Sequence, residues 1–402
     1  MICESHHEGM LFETPALSER DLEVLHGLDA HRVALRSFLS PPRRWRGQLR
    51  RNLRARAVQG SNSIEGYDVS LDDALALIQG EEPLDADQKT VLEVTGYRNA
   101  MTYVQQLASD TNFGLDESLL RSLHFMMLGH DLTKSPGSYR KGPIYVRDED
   151  ADETMYEGPE ADVVTELMAE LVQSTSAQMR SGHSMFVVAA MAHLNLVMIH
   201  PFRDGNGRMA RCLQTLILAR NQILSPEFSS IEEWLGRNTA AYYDVLALVG
   251  GGRWHPENDA GPWIRFNLRA HHMQAQTVLD RVNEAEDLWT RLAALATQRG
   301  LPDRVVSALY EAALGLRVRR ARYQDEASLE DATAGRDLRI LADAGLLIAQ
   351  GQTRGRYYTG GDTLRSVYRN LRNERPRKII DPYDIEHLDL GPRRRVRTVG
   401  QP

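Results

Sequence analysis

The strongest constraint on the fold of this chain is an apolar run that leads directly into a glycine-rich loop. Residues 185–199 are almost wholly apolar, and a run that is apolar on every side is typical of a buried helix. Pro201 disfavours helical backbone at His200, so the helix should end there. Residues 204–207 have turn chemistry, and helical spacing of apolar residues resumes from Arg208. We therefore predict a helix, a tight loop and a second helix.

The loop collects residues that handle phosphate. It leads into a helix N-terminus, where unpaired N–H groups and the helix dipole favour anions, and its glycines let a phosphate approach the backbone. Arg208 and Arg211 share one helix face, and guanidinium groups suit phosphate oxygens. Asp204 is a hard oxygen ligand suited to Mg²⁺, and His200 can accept a proton near neutral pH. The loop therefore predicts a phosphate-handling site.

The run resembles the signature of the Fic (filamentation induced by cAMP) family, His-x-Phe-x-(Asp/Glu)-Gly-Asn-Gly-Arg-x-x-Arg, with every specified position present between His200 and Arg211. The resemblance implies transfer of AMP from ATP to a Ser, Thr or Tyr hydroxyl of a target protein, with release of pyrophosphate. It implies that His200 deprotonates the hydroxyl and that Asp204 holds Mg²⁺ or Mn²⁺. It also implies an anion hole at the α-phosphate, formed by Gly205, Asn206 and Gly207. Arg208 and Arg211 would hold the outgoing phosphates. A Fic subgroup that transfers phosphate has Lys at the position of Gly207, which argues against that variant.

A second, shorter motif lies upstream at Ser61-Asn62-Ser63-Ile64-Glu65-Gly66. It resembles the (Ser/Thr)-x-x-x-Glu-(Gly/Asn) motif of the Fic subgroup with an N-terminal inhibitory helix, which implies such a helix near residues 57–66. A Glu65 carboxylate paired with Arg211 would neutralise one clamp, so that ATP could bind only with its outer phosphates misplaced. Ser61 and Glu65 are therefore expected to be regulatory and the enzyme to be autoinhibited.

Two further segments are expected to contact the substrates. Residues 143–146 and 154–156 predict a hairpin around an acidic turn. In the Fic fold such a hairpin, the flap, aligns an extended target segment by main-chain pairing, so Thr154, Met155 and Tyr156 are expected to dock the target. Residues 231–248 predict a helix that lines the adenine pocket in Fic relatives. Tyr242 or Tyr243 is expected to stack on the base, although ordinary core tyrosines fit the same pattern.

The C-terminal hundred residues predict a separate unit. Three helices followed by two strands around a glycine-rich turn resemble a winged helix-turn-helix, a module found C-terminal to Fic domains in many relatives. Residues 301–402 hold 19 Lys and Arg against 14 Asp and Glu, in a chain whose net charge is −7. This excess permits DNA binding, but Glu330, Asp331 and Asp337 lie on the helix that would face DNA and would repel phosphate. Protein docking or dimerisation is the alternative.

The cysteine content and the length of the apolar runs limit the class of protein further. Two cysteines, Cys3 and Cys212, provide no disulfide framework and favour a reducing compartment. The longest apolar run is too short and too polar to span a bilayer, and the N-terminus lacks the pattern of a signal peptide, so we expect a cytoplasmic protein without a membrane partner. The predicted class is all-α, a helical Fic core with a small β-hairpin flap and a C-terminal winged helix domain. The predicted divisions are an N-terminal helical region (1–110), a Fic core (111–250), a helical connector (251–300), a winged helix (301–360) and a basic tail (361–402).

The sequence leaves other functions open beside an autoinhibited protein adenylyltransferase. The same site could remove AMP from a modified target, with Glu65 as the base for water, or transfer a different nucleotide. A function of another class is a DNA-binding regulator whose Fic half senses ATP. The expected partners are ATP, a protein target, the chain itself through self-modification, and further copies of the chain in a homo-oligomer.

Overall fold

The computed structural model describes residues 10–39, 42–110, 114–148, 153–220, 230–352, 355–383 and 396–400. In chain order, its helices are α1 (Glu19–Leu39), α2 (Arg46–Ile64), α3 (Leu71–Ile78), α4 (Gln88–Leu107), α5 (Glu117–Leu128), α6 (Val164–Arg180), α7 (Met185–Ile199), α8 (Asn206–Arg220), α9 (Glu232–Arg237), α10 (Thr239–Gly250), α11 (Gly261–Gln298), α12 (Val306–Ala313), α13 (Arg320–Glu326), α14 (Asp331–Asp343) and α15 (Asp362–Glu374). The strands are β1 (Ile144–Asp148), β2 (Glu153–Glu157), β3 (Val318–Arg319), β4 (Leu347–Gln350), β5 (Tyr357–Gly360) and β6 (Val396–Gly400).

The chain divides into two compact units. The first comprises residues 1–34, 53–275 and 380–402, and the second comprises residues 35–52 and 276–379. These units differ from the five divisions expected from the sequence, because the long helices α1, α2 and α11 each contribute residues to both. In the described part of the chain, no helix combines the length and apolar character needed to cross a bilayer.

The centre of the first unit is α7, as the sequence predicts. Thirteen of its fifteen residues are buried, and it packs against α6 and α8. Burial on all sides explains why its apolar residues show no single face, since neighbouring helices surround it. The predicted succession of helix, loop and helix is present, but α8 begins at Asn206, two residues before the predicted restart at Arg208.

Two helices that border the loop, α4 and α5, begin at carboxylate caps and cross closely. The side chain of Asp87 accepts a hydrogen bond from the backbone N–H of Thr90, and Asp116 does the same for Leu119. At the crossing, a Cβ on Gly96 would lie 1.9 Å from the carbonyl oxygen of Met127, so this approach requires glycine. The close crossing fixes the positions of the side chains that α4 and α5 send towards the loop.

The predicted hairpin is present as β1 and β2, which pair antiparallel with an irregularity after Val146. Its outer edge at β1 is not open, because β6 pairs antiparallel with β1 over all five residues. The sheet order is therefore β2-β1-β6. The hairpin is anchored to the central helix by Tyr156, whose hydroxyl donates to the carbonyl oxygen of Met198 at 2.8 Å.

The second unit contains the predicted succession of helices and strands. Helices α12, α13 and α14 precede β4 and β5, and the short β3 completes an antiparallel sheet of order β3-β5-β4. The expected repulsion of phosphate by Asp337 is wrong, because this residue is buried and pairs with Arg304 at 2.7 Å. Arg336 and Arg339 of the same helix are exposed. Assignment to the winged helix class, and DNA binding, stay predictions.

Residues 361–402, expected to be a tail, contain regular structure. Helix α15 buries Leu364 and Leu371 within the second unit, and β6 belongs to the hairpin sheet of the first. The helix was not predicted, although Leu364, Val367, Tyr368 and Leu371 recur at helical spacing on one face. The basic triplet at 393–395 lies outside the described residues.

Candidate active site

The loop between α7 and α8 is held in one shape by side chains that bond to its backbone. His200 ends α7 in the left-handed conformation (φ 51°, ψ 56°), rather than the extended one that usually precedes proline. The side-chain amide of Asn206 accepts from Phe202 N–H and donates to Phe202 C=O, each at 2.8 Å. The Asn206 side chain therefore shapes the loop, and an anion hole here would consist of backbone N–H groups at the start of α8.

His124 of α5 supports the loop from the other side. Its ring stacks on buried Phe202, with 3.7 Å between the ring centroids and 7° between the planes. Its Nε2–H donates to the carbonyl oxygen of Asp204 at 2.9 Å, and its Nδ1 accepts from Gly137 N–H at 2.8 Å. Burial lowers the pKa of His124 to about 4, so the ring stays neutral and keeps this tautomer at neutral pH.

His200, at the end of α7, is a neutral imidazole, which is the form that a general base needs. Its Nδ1 is 2.9 Å from the carbonyl oxygen of Val197. A carbonyl can only accept, so Nδ1 carries the hydrogen and Nε2 carries the lone pair. Burial lowers the pKa of His200 to about 4, against a smaller opposing effect of the Val197 bond, so the imidazole is neutral at pH 7. The ring can therefore accept a proton through Nε2.

Arg140, which follows α5 and precedes the hairpin, joins the loop to the hairpin. It is buried, and its Nε donates to the carbonyl oxygen of His200 at 2.9 Å. Its Nη1 donates to Gly142 C=O at 2.9 Å, and its backbone N–H donates to Pro201 C=O at 2.9 Å. One side chain thus fixes the backbone of the candidate base and the start of β1 together.

Asp204 belongs to a network of four charged side chains, with Lys134, Glu93 and Arg208. The Lys134 ammonium lies 2.8 Å from Asp204 Oδ2 and 2.6 Å from Glu93 Oε1. Glu93 Oε2 accepts from Arg208 Nη1 at 2.7 Å. Burial opposes ionisation of Asp204 and Glu93, but Arg208 and Lys134 outweigh it and hold the pKa of both carboxyls below the usual range. Both carboxylates are therefore ionised, and Arg208 is already paired.

Arg211 is paired as well, with the second motif. Its Nε donates to Ser61 Oγ at 2.8 Å, and its Nη2 donates to Glu65 Oε1 at 2.7 Å. Glu65 Oε1 also lies in front of Gly207, where an added Cβ would be 2.5 Å from it. In the described part of the chain, Arg211 Nη1 and Arg208 Nε are buried donors without a hydrogen-bond acceptor. The Glu65 carboxylate therefore occupies the cradle formed by Gly207 and Arg211. Two donors beside it still lack an acceptor.

The residues at Asp204 fit a magnesium ion of the kind held by substrate phosphates. Within the described ranges, no group of three or more His, Cys, Asp or Glu side chains could hold a metal ion. Asp204 is an ionised carboxylate paired with Lys134, and 32% of its side chain is exposed, so a hydrated cation can reach it. Mg²⁺ commonly binds one or two carboxylates and takes its other ligands from phosphates and water. Asp204 alone therefore suffices on the protein side.

A cavity of about 80 Å³ adjoins His200 and Glu65. The predicted docking residues Met155 and Tyr156 line it, while Thr154 lies exposed on β2. Tyr242 and Tyr243 also line it, as do apolar residues of α7 and α10. The Tyr242 hydroxyl lies 3.0 Å from His193 Nε2 in a buried network, and Tyr243 is only half-buried. Stacking of either tyrosine on adenine stays a prediction.

The structure thus brings the two motifs and the hairpin together. Four residues with defined contacts at the site were not identified from the sequence: Glu93, His124, Lys134 and Arg140. A basic residue beside a turn or a carboxylate within a helix gives no local signal. Their contacts arise only where α4, α5 and the segment after α5 meet the loop, so spacing along the chain could not have identified them.

Comparison with known proteins agrees with this geometry. Residues 114–218 match the model of the Fic/DOC family, and this segment includes the whole run from His200 to Arg211. The chain is similar to the protein adenylyltransferase Fic of Drosophila melanogaster, with 28% identity over 272 residues that cover 63% of this chain and 49% of the relative. The protein of the same name from Nematostella vectensis is 29% identical over 215 residues, covering 53% and 45%. The chain spans about half the length of the curated relatives it matches.

Solved structures support the same fold. A Fic family protein from Desulfovibrio desulfuricans superposes with a TM-score of 0.55 at 23% identity, covering 87% of this chain and 98% of that one. A fragment of Fic-1 from C. elegans superposes with a TM-score of 0.52 at 23% identity, covering 66% and 73%. At these identities the likeness establishes the Fic fold, and the chemistry has to be argued from the site.

Proposed function

We propose that this chain is an autoinhibited protein adenylyltransferase. It would transfer AMP from ATP to a Ser, Thr or Tyr hydroxyl of a target protein and release pyrophosphate. The name of the curated relatives and the Fic/DOC match support this class of reaction. The observation that carries the proposal is the position of Glu65, a carboxylate lying in a glycine and arginine cradle that suits the phosphates of a nucleotide.

His200 acts as the general base in this proposal. The target oxygen attacks the α-phosphorus of ATP, its proton passes to His200 Nε2, and the bond from the α-phosphorus to the bridging oxygen of pyrophosphate breaks. The Val197 bond keeps Nε2 unprotonated before the reaction, and Arg140 fixes the backbone of His200. Positioning and charge stabilisation, rather than a covalent intermediate, supply the rate.

The start of α8 and the two arginines hold the phosphates. Backbone N–H groups from Asn206 onward face the α-phosphate, and Arg208 and Arg211 take the outgoing phosphates through donors that include Arg211 Nη1. A Mg²⁺ ion bound at Asp204 would neutralise negative charge on the phosphates. Tyr242 and Tyr243 border the space for the base.

The flap positions the target. Met155 and Tyr156 line the cavity next to His200, and the edge of β1 away from β2 is paired with β6. An extended target segment would therefore add along the outer edge of β2, at Thr154, Met155 and Tyr156. Main-chain pairing there would present a hydroxyl to the cavity without requiring a long recognition sequence.

Autoinhibition follows from competition for Arg211. Glu65 and an outgoing phosphate need the same guanidinium and the same space in front of Gly207. While Glu65 is in place, ATP binds weakly or with its outer phosphates displaced. Ser61 strengthens the closed state because its hydroxyl accepts a hydrogen bond from Arg211 as well.

Labelled ATP tests the proposal. The wild type, Glu65→Gly and the Glu65→Gly variant that also carries His200→Ala are incubated with Mg²⁺ and ATP labelled at the α- or the γ-phosphate, alone and with a cell lysate. We expect strong α-label on protein with Glu65→Gly, little with the wild type, and none without His200. Transfer of γ-label in place of α-label would indicate a phosphotransferase, and absence of both labels would remove the proposal.

Removal of AMP is a second candidate that one observation favours. Glu65 lines the same cavity as His200, so its carboxylate could activate a water there. A target modified by Glu65→Gly would then lose AMP when the wild type is added, and would keep it with added Glu65→Gly. Retention of AMP in both cases would exclude this second function.

A further inference from the structure

Lys134 places an ammonium group on the carboxylate that the proposed function assigns to the metal. The residue ends a single 3₁₀ turn, Leu132–Lys134, which Asp131 caps through Thr133 N–H. The left-handed Ser135 follows it and turns the chain away. The local backbone therefore holds Lys134 with its side chain 81% shielded from solvent, since 19% of its surface is exposed.

We propose that Lys134 is a built-in counterion that a divalent cation must displace from Asp204 when the nucleotide site loads. This inference rests on the proposed function, because it takes Asp204 as the metal carboxylate. The Lys134 ammonium lies 2.8 Å from Asp204 Oδ2, the distance of a direct ion pair. A unit positive charge and a divalent cation on one carboxylate repel each other across a few ångströms, so they compete for it.

The second carboxylate, Glu93, makes the displacement feasible. Lys134 Nζ also lies 2.6 Å from Glu93 Oε1, so an ammonium that gives up Asp204 keeps a charged partner. Tyr67 donates its hydroxyl to the same carboxylate at 3.2 Å, and Arg208 occupies the other oxygen. The ammonium therefore need not move into an apolar or empty space, and the exchange loses one ion pair rather than two.

The local charge explains what this arrangement does. Three cationic side chains, Lys134, Arg208 and Arg211, stand beside three carboxylates, Glu65, Glu93 and Asp204. The six charges balance without nucleotide or metal, so none of them is left uncompensated in the unloaded site. Lys134 consequently raises the concentration of divalent cation at which the site fills, and links nucleotide binding to that concentration.

Lysine suits this position better than arginine. Only four lysines, at 89, 134, 141 and 378, occur among the 48 basic residues of the chain. An ammonium is a compact point charge on a flexible stem, whereas the guanidinium of arginine favours a fixed two-point contact. A side chain that must leave one carboxylate while keeping another needs the flexible point charge of lysine.

Binding of Mn²⁺ tests the inference without measuring transfer. Full-length Glu65→Gly protein, with and without Lys134→Met, is titrated with Mn²⁺ at saturating α,β-methylene-ATP, and free Mn²⁺ is followed by electron paramagnetic resonance. Loss of a unit charge next to a divalent cation, screened by solvent and by Glu93, should tighten Mn²⁺ binding about tenfold. Lys89→Met is the matched control, since this exposed lysine lies over the Tyr67 ring and should leave Mn²⁺ binding unchanged.

Unchanged or weaker Mn²⁺ binding in Lys134→Met, with the analogue still bound, would overturn the inference, because Lys134 would then be neutral for the cation or support it. Lys134→Arg provides the second variant if Lys134→Met does not fold. It keeps the charge but favours two-point contact, so Mn²⁺ should bind no more tightly than to the parent, and tighter binding would contradict competition. Failure of Glu65→Gly itself to bind the analogue would instead count against the proposed function.

Discussion

Replacement of Glu65 by Gly should convert the closed site into one that binds nucleotide. The Glu65 carboxylate lies 2.7 Å from Arg211 Nη2 and is the acidic partner of a guanidinium that is 1% exposed. A hydrogen bond between charged groups contributes about 2 kcal/mol net, and 23% exposure of the Glu65 side chain argues against a higher value. That energy corresponds to about thirtyfold in an equilibrium constant. A non-transferable ATP analogue should therefore bind Glu65→Gly about thirtyfold more tightly than the wild type.

Isothermal titration calorimetry with α,β-methylene-ATP and Mg²⁺ measures this difference directly. Glu65→Gln separates charge from shape, because it keeps the side-chain volume in front of Gly207 and removes the negative charge. We expect its affinity to lie between those of the wild type and Glu65→Gly. Glu166→Gln, an exposed carboxylate on α6, is the control for loss of charge elsewhere. Equal affinities of the wild type and Glu65→Gly would refute the inhibitory role of this carboxylate.

Four further outcomes follow from the structure. In the Glu65→Gly background, His200→Ala should abolish label transfer yet leave analogue affinity within about twofold, because the ring contacts the hydroxyl rather than the phosphates; a large loss of affinity would contradict this role. His200 has a pKa of about 4, and its base form is lost only as the pH falls through that value, so transfer should persist at pH 5.5, where an ordinary histidine would be largely protonated. Buried neutral His193 and His271, with pKa values of about 3, should each lower the free energy of unfolding by up to about 1.4 kcal/mol per pH unit below pH 6.5 in urea titrations, because the unfolded chain takes up the protons. Gly60→Ala would place a Cβ 2.4 Å from the Glu232 carbonyl oxygen, so α2 must shift. We expect faster labelling and a lower melting temperature in this variant. Unchanged values of both would show that α2 is not held by this contact.

The sequence predicted the elements whose signals are local. The apolar run of α7, the turn residues of the loop and the restart of helical spacing at α8 depend on neighbouring residues, and the structure has them within two residues of the predicted positions. The hairpin also has local signals, namely two short strand-like segments on either side of an acidic turn. The pairing of Glu65 with Arg211 was expected from resemblance to family motifs, since 146 positions separate the two residues.

The remaining features depend on contacts between distant segments. The pairing of β6 with β1 joins positions about 250 residues apart, and nothing in the five residues of β6 indicates a partner. Asp337 was expected to repel phosphate from the helix that would face DNA, but it is buried, where Arg304 and Tyr323 satisfy it. Lys134 gave no signal at all, since its role depends on two carboxylates brought to it by α4 and by the loop.

The central claim is that the loop and α8 hold the phosphates of a nucleotide in the space that Glu65 now fills. A crystal structure of Glu65→Gly with α,β-methylene-ATP and Mg²⁺ tests it most directly. We predict phosphate oxygens within hydrogen-bond distance of Arg211 Nη1 and of the backbone N–H groups at the start of α8, with the α-phosphorus next to His200 Nε2. An analogue bound elsewhere, or phosphates that make no contact with Arg211, would contradict the account.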